Sequence, residues 1–188
     1  MEYNNKTFEK VIYCDKLIKE KEFNTCTFIK CDFSNSSFLG IKFLDCTFEE
    51  CNLSLMKVDG STLHNGHFNG CKIMGVNFSE CIDFLFSVSF KSCTLDYASF
   101  NGKKMHKTNF IDSSLKGVDF TQAQLNSSVF TNSNLEDAVF NRTNVSSSNF
   151  ISAINFSIDP ELNQIKKASF SVHGLLGLLT KHTIKVVY

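Results

Sequence analysis

Large apolar side chains recur at every fifth position of the chain, and this spacing constrains the fold more than any other feature. One unbroken series runs from Phe8 to Phe78, and a second, two residues out of step, runs from Leu85 to Phe150. The offset indicates a two-residue insertion near 79–84. A period of five fits neither the 3.6-residue period of an α-helix nor the alternation of a β-strand. Each unit must therefore be a short extended segment followed by a turn, so that the chain coils.

Compact residues lie two positions before the large ones and form a second inward-facing series. Most of them are cysteine, serine, alanine or valine, so large and small side chains alternate in a narrow interior without voids. If four units make one coil, residues twenty apart stack and should be alike. One such column is Phe28, Phe48, Phe68, Phe90, Phe110, Phe130 and Phe150. Three units per coil would instead mix Phe28 with Val58 and Ile73, so the pattern favours an all-β, four-sided parallel β-helix.

These tandem units resemble the pentapeptide-repeat family over residues 6–157. The resemblance implies a right-handed quadrilateral parallel β-helix, whose hand the residues alone do not give. Coils about 4.8 Å apart would make a rod of roughly 35 Å. An open solenoid end exposes unpaired backbone and must be capped. The first 22 residues are highly charged, which predicts an N-terminal capping coil over 1–22. We expect the β-helix itself over 23–157, and a C-terminal cap and dimerisation segment over 158–188.

The C-terminal segment loses the five-residue period and carries a cluster of leucines. Ser171 can cap a short helix from His173 to about Lys181, and a β-branched strand follows over 183–188. Four leucines exceed what one helix face can bury against a rod end, which predicts a homodimer interface. The interface residues are Leu175, Leu176, Leu178 and Leu179. The order of elements resembles the tail of Qnr-type quinolone-resistance proteins, which implies two rods joined head to head.

The insertion and the unit one coil later carry the most distinctive outward residues. We expect Leu85 to point inward, with aromatic and basic side chains exposed around it. This candidate interaction patch consists of Ile82, Phe84, Phe86, Lys103, Lys104, His106 and Lys107. The functional interpretation is an aromatic and basic recognition surface for a partner. The structural alternative is a bulge folded over its own gap, with solvated lysines beside it.

Catalytic, metal and cofactor sites are not predicted. The eight cysteines mostly occupy compact inward positions, and residues five apart lie on adjacent walls, where thiols cannot converge on one ion. Cys14 lies off this pattern. Parallel side chains about 4.8 Å apart also have poor disulfide geometry, so reduced thiols and a cytoplasmic location are expected. The five histidines occupy mainly outward positions, without a pocket where one could serve a nucleophile as its base.

Charge and hydropathy argue against two classes of partner. The chain has 19 basic and 19 acidic side chains, which is not the footprint of a protein that binds nucleic acid or an anionic membrane surface. No segment approaches the roughly 20 apolar residues that span a bilayer. The polar N-terminus also lacks the apolar stretch of a signal peptide.

Two functions remain open, and both are protein binding. The Qnr-type resemblance implies a non-catalytic protein that occupies the DNA site of DNA gyrase or topoisomerase IV and alters quinolone sensitivity. A DNA mimic of this length needs something like twenty negative charges, whereas residues 21–157 carry 13 acidic and 11 basic side chains. The loops that many Qnr-type proteins insert between coils are also missing. The alternative is a rigid dimeric scaffold for other proteins, without topoisomerase activity.

Overall fold

The chain winds into a four-sided parallel β-helix of about eight coils, as the five-residue period predicts. The computed structural model describes residues 1–182 and 184–185. Each side of a coil is a short strand or a single β-bridge, paired in parallel with the same side of the next coil. The strands are β1 Glu2–Asn4, β2 Thr7–Glu9, β3 Leu17–Lys19, β4 Glu22–Asn24, β5 Thr27–Ile29, β6 Ser37–Leu39, β7 Lys42–Leu44, β8 Thr47–Glu49, β9 Thr62–His64, β10 Gly66–Asn69, β11 Val88–Lys91, β12 Phe110–Ile111, β13 Asn149–Phe150 and β14 Ser169–Phe170. Short 3₁₀-helices span Phe78–Glu80, His173–Leu178 and Thr180–His182.

The pairing register confirms the coil length and the insertion. Phe48 pairs with Phe68, an offset of 20, and Phe68 pairs with Phe90, an offset of 22. Ile82 and Ser87 both still donate backbone hydrogen bonds to the preceding coil. The two extra residues therefore lie between them, slightly later in the chain than the sequence indicates.

Phenylalanine rings fill the interior as one continuous stack. The column runs from Phe8 to Phe170, with neighbouring ring centroids 4.5–5.4 Å apart and interplanar angles of 8–17°. Compact positions such as Cys51, Ser61 and Ala123 are buried beside the rings. Among the described residues, every buried side-chain nitrogen or oxygen has a hydrogen-bond partner. The alternation of large and compact residues is thus confirmed as the packing of the core.

Most units turn at a residue in the left-handed backbone region. In the described chain, 24 non-glycine residues and six glycines have positive φ. Leu55, Leu85 and Tyr97 are large apolar residues in this conformation, which is uncommon for such side chains. One coil after Leu55 lies Gly75, and one coil after Tyr97 lies Gly117. A Cβ atom at either glycine would lie 2.7 Å from the larger side chain, so glycine makes room for it.

The first coil has the same register as the later ones, since β1 pairs with β4 and β2 with β5. Its inward aromatic residues are partly buried because they form the end face of the tube. Lys21 Nζ lies 5.8 Å from the ring centroid of Tyr3 and 5.9 Å from that of Tyr13. Lys16 Nζ lies 5.3 Å from the Tyr13 ring centroid. These cation–π contacts cover the end face with charge, while the boundary of a cap at residue 22 stays a prediction.

The last coil continues past residue 158, because β14 pairs with β13 in the register of the earlier coils. The predicted helix begins at His173, but it is 3₁₀ and is divided in two at Leu179. Ser171 Oγ accepts a hydrogen bond from Gly174 N at 3.0 Å, in the capping role that the sequence indicates. The strand predicted over 183–188 lies outside the described residues, apart from Ile184 and Lys185.

The 3₁₀ segment is drawn close to the end of the rod. Ile158 N donates to Gly177 O at 2.9 Å. A Cβ atom at Gly177 would overlap the backbone and ring of Phe156, so this approach requires glycine. No helix in the described chain is long and apolar enough to cross a membrane.

Candidate functional site

The interior of the tube offers no room to a substrate. The space at its N-terminal end, lined by Tyr3, Phe8 and Tyr13, measures only about 30 Å³, far below the roughly 300 Å³ of a small-molecule pocket. Burial raises the pKa of the Cys46 thiol to about 11 and that of Cys81 to about 12, so neither is ionised at neutral pH. Within the described residues, no group of His, Cys, Asp or Glu side chains could hold a metal ion. Candidate functional residues therefore lie on the outer walls.

The structure divides the predicted interaction patch into an exposed and a buried group. Ile82 and Phe84 are 46% and 75% exposed on the insertion. Lys104, His106 and Lys107 are exposed one coil later on the same wall. These five residues lie together and can contact a partner.

Phe86 and Lys103 are buried, at 6% and 1% exposed, so they do not belong to a contact surface. The prediction that Leu85 points inward is wrong, because this side chain is 55% exposed. Leu85 lies at a left-handed corner with a φ of 60°. The chain turns there, and Phe86 takes the inward position with its ring centroid 6.4 Å from that of Phe78.

Lys103 occupies a compact inward position, in the column of Ser61, Cys81 and Ala123. Its ammonium donates to Cys81 O and to Asp83 Oδ1, the latter at 2.6 Å. The same ammonium lies 5.2 Å from the ring centroid of Phe86. A buried charge needs such partners, because its desolvation is otherwise very costly. The lysine and the insertion therefore hold each other in place.

The ammonium of Lys103 also replaces a backbone hydrogen bond. Elsewhere in this column a residue's carbonyl accepts a hydrogen bond from a backbone N–H group one coil later, as Ser61 O does from Ile82 N and Lys103 O from Gln124 N. Among the described residues, Cys81 O has no such backbone donor. An unpaired buried carbonyl costs about 1–3 kcal/mol. The insertion removes the backbone partner, and the lysine side chain supplies another.

The other end of the insertion is fixed by the coil before it. His64 Nδ1 lies 3.1 Å from Leu85 O, and Asn65 N donates to Ser87 Oγ at 2.7 Å. The bulge is therefore held from both sides. It presents its apolar side chains on a rigid support.

Three of the four predicted interface leucines are exposed, namely Leu175, Leu176 and Leu179. Leu178 instead packs against the core at the end of the rod. The segment is tied down by Lys181, whose ammonium lies 2.8 Å from Asp159 Oδ1 and lowers the pKa of that carboxyl group. Between this segment and the last coils lies an open groove of about 710 Å³.

One exposed feature is missing from the sequence-based prediction. Leu55, Met74 and Tyr97 line one corner of the rod on successive coils, and all three are exposed. The available signal was a glycine one coil after each large corner residue, at Gly75 and Gly117. A corner position by itself predicts only a polar residue or glycine. The pairing of a large corner residue with a glycine one coil later becomes visible only when the coils are aligned.

Several solved structures share this architecture. A trypsin-treated variant of QnrB1, described as a plasmid-mediated fluoroquinolone resistance protein, is 15% identical with a TM-score of 0.69, covering 96% of this chain and 100% of that one. Full-length QnrB1 is 14% identical with a TM-score of 0.56, covering 98% and 100%. HetL, a pentapeptide repeat protein involved in heterocyst differentiation regulation from the cyanobacterium Nostoc sp. strain PCC 7120, is 13% identical with a TM-score of 0.50, covering 90% and 84%. Likeness at these identities shows the fold.

A search of curated protein sequences finds no match. The family profile described as the pentapeptide repeat region matches residues 21–100 and 83–150. These ranges cover more than half of the chain, and the residues in them form most of the stacked coils. The chain therefore belongs to the pentapeptide-repeat family.

Proposed function

We propose that the chain is a non-catalytic binding protein that acts on a type II topoisomerase, DNA gyrase or topoisomerase IV, and alters its response to quinolones. The observation that carries the proposal is the closed, aromatic-filled tube, which leaves only outer surfaces for function. The shared fold with QnrB1 along 96% of this chain supports the choice of partner. The free thiols of all eight cysteines support a reducing compartment such as the cytoplasm.

The proposed contact surface is the exposed part of the insertion with the lysines beside it. Ile82, Phe84 and Leu85 project from a bulge that hydrogen bonds fix at both ends. Apolar anchors held rigidly lose little conformational entropy on binding, which is why such residues dominate interface energies. Lys104 and Lys107 flank them and would pair with carboxylates of the partner.

The test is a supercoiling assay with purified DNA gyrase and relaxed plasmid. We expect added protein to restore supercoiling in the presence of ciprofloxacin, or to inhibit supercoiling at high excess, because it competes for the enzyme. The double variant Ile82→Ala/Phe84→Ala should need at least about fivefold more protein for the same effect, since it removes two exposed apolar anchors.

The matched control is Ile12→Ala/Leu17→Ala, which removes two exposed apolar side chains from the first coil. This variant should behave like the wild type. If neither rescue nor inhibition occurs at high protein excess, topoisomerase binding is contradicted. The general scaffold would then be the better description, in keeping with the mixed charge of residues 21–157.

We further propose that the protein is a homodimer through its C-terminal segment. Leu175, Leu176 and Leu179 are exposed beside the open groove at the rod end. Exposed leucines grouped in this way are typical of an interface. A symmetric dimer would bury the same patch from both copies.

Leu175→Asp/Leu179→Asp should halve the mass measured by light scattering, because two buried carboxylates per copy would oppose association. The control is Leu17→Asp, which changes an exposed leucine at the opposite end of the rod and should leave the mass unchanged. A wild-type protein with the mass of one chain would contradict the dimer. So would a double variant that keeps the dimeric mass with unchanged circular dichroism.

A further inference from the structure

The neutral total charge conceals a separation of charge between walls. The wall defined by Lys104–Lys107 continues through the next three coils to Lys166 and Lys167. Lys104 pairs with Gln124, Gln124 with Asn144, and Asn144 with Gln164, so residues about sixty apart in sequence lie in one row. We name this surface the basic wall.

The basic wall carries no acidic side chain. Its outward positions hold Lys104, Lys107, Lys166 and Lys167, together with His106 and neutral amide and hydroxyl side chains. Among the described residues, none of these four lysines has an ion-pair partner. Each cation is therefore available to an external carboxylate.

The opposite wall at the same height has the reverse character. Asp96, Glu136 and Asp137 lie there, and the Lys116 ammonium is already paired with Glu136 Oε2 at 2.7 Å. Arg142, the one arginine of the chain, lies at the corner that leads into the basic wall. The rod thus has a charge dipole across its width, which orients an approaching charged partner.

We infer that the basic wall binds an acidic segment of a partner protein, with two carboxylate clusters about 14 Å apart. The two lysine pairs are separated by three coil spacings of about 4.8 Å, which gives this distance. An extended peptide rises about 3.3 Å per residue, so acidic residues four or five positions apart would reach both pairs. The amides of Gln124 and Asn144 lie between the pairs and can hydrogen-bond to the peptide backbone.

The charge distribution favours a short acidic segment over nucleic acid. A duplex is wider than one wall, so its phosphates would also meet Asp112 and Asp119 on the flanking walls. Of the outward positions on the basic wall only His106 carries an aromatic ring, so successive bases would not find the row of stacking side chains that single-stranded nucleic acid needs. A segment confined to one wall avoids both problems. The inference takes from the proposed function only that the rod binds protein, and the partner need not be a topoisomerase.

The probe is a fluorescein-labelled peptide with the sequence Asp-Asp-Gly-Ser-Gly-Asp-Asp, measured by fluorescence anisotropy at low salt. We expect saturable binding that weakens as salt rises, because the contacts are exposed charge pairs. Lys104→Glu/Lys107→Glu and Lys166→Glu/Lys167→Glu should each weaken binding by at least about tenfold. The control Lys57→Glu/Lys72→Glu, which reverses two unpaired lysines on other walls, should change affinity by less than about twofold.

Three results would overturn the inference. One is the absence of binding at low salt, and another is an equal loss of affinity in the control variant. The third is tighter binding to a labelled DNA duplex that the same lysine variants abolish, since the wall would then be a nucleic-acid surface. Gyrase assays do not enter these outcomes, so the two proposals can fail separately.

Discussion

Phe110→Ala should lower the free energy of unfolding by about 3–5 kcal/mol, the largest single-residue effect that we expect in the core. The Phe110 ring is fully buried and stacks on Phe90 at 5.4 Å and on Phe130 at 5.0 Å. It also meets Phe100 and Phe120 edge to face, at 6.1 and 5.7 Å. Because the backbone ladder fixes the coil spacing, the coils cannot close over the void. Denaturant unfolding followed by circular dichroism measures the loss.

Phe84→Ala is the matched control, since it makes the same chemical change at an exposed position. Its effect on the free energy of unfolding should stay within about 0.5 kcal/mol. Phe170→Ala should fall between the two, because Phe170 ends the ring stack and is only partly buried. Equal losses for Phe84 and Phe110 would show that the ring stack is not the main source of stability.

The same ring stack explains why the fold could be predicted from the sequence. In a tube of this width every inward side chain contacts its counterparts in the coils before and after, so the interior demands like residues at a fixed spacing. Phe28, Phe48 and Phe68 obey this demand, and their backbone partners follow from it directly. The five-residue period is therefore sufficient to predict the fold, the pairing register and the residues of the core.

The insertion could not be predicted in the same way, because it interrupts the period. Counting back from Phe90 in steps of five selects Leu85, whereas Phe86 is the residue that points inward. Leu85 lies at a backbone corner with positive φ, so its side chain points outward and Phe86 points inward. The position of this corner cannot be derived from the sequence period. Lys103 is predicted to be exposed together with the other basic residues around Met105, but it is buried. The buried ammonium donates a hydrogen bond to the carbonyl of Cys81, which would otherwise be unpaired. No sequence pattern indicates that this carbonyl lacks a backbone partner.

The basic wall could have been predicted from the sequence, but only after the number of units per coil was known. Lys104 and Lys166 are far apart in the chain, and the total charge of zero hides their common location. Once four units per coil are accepted, the rows of outward residues can be written down from the sequence. Net charge is therefore a poor guide to the partners of a solenoid, whereas the charge of each wall is informative.

Asp83→Ala should lower the free energy of unfolding by about 2–3 kcal/mol, because it leaves the buried Lys103 ammonium without its counter-ion. The expected cost is below that of a fully buried pair, since the Asp83 side chain is 65% exposed and solvent screens part of the interaction. The remaining partners of the ammonium are Cys81 O and the ring of Phe86. Denaturant unfolding again provides the measurement.

Lys103→Met should cost only about 1–2 kcal/mol, because two effects oppose each other. The carbonyl of Cys81 loses its donor, but an apolar side chain of similar length replaces a charge that is costly to bury. In the Lys103→Met background, Asp83→Ala should add less than about 0.5 kcal/mol. The double-mutant cycle should therefore give a coupling energy of about 2 kcal/mol between the two side chains.

The pair of Lys116 and Glu136 provides the control, because its ammonium and carboxylate are 2.7 Å apart but both side chains are roughly half exposed. Glu136→Ala should leave the midpoint of denaturant unfolding almost unchanged, because solvent screens this exposed pair. If Asp83→Ala costs the same with Met or Lys at position 103, the ammonium does not depend on this carboxylate. The carbonyl of Cys81 and the ring of Phe86 would then be the partners that stabilise the buried ammonium.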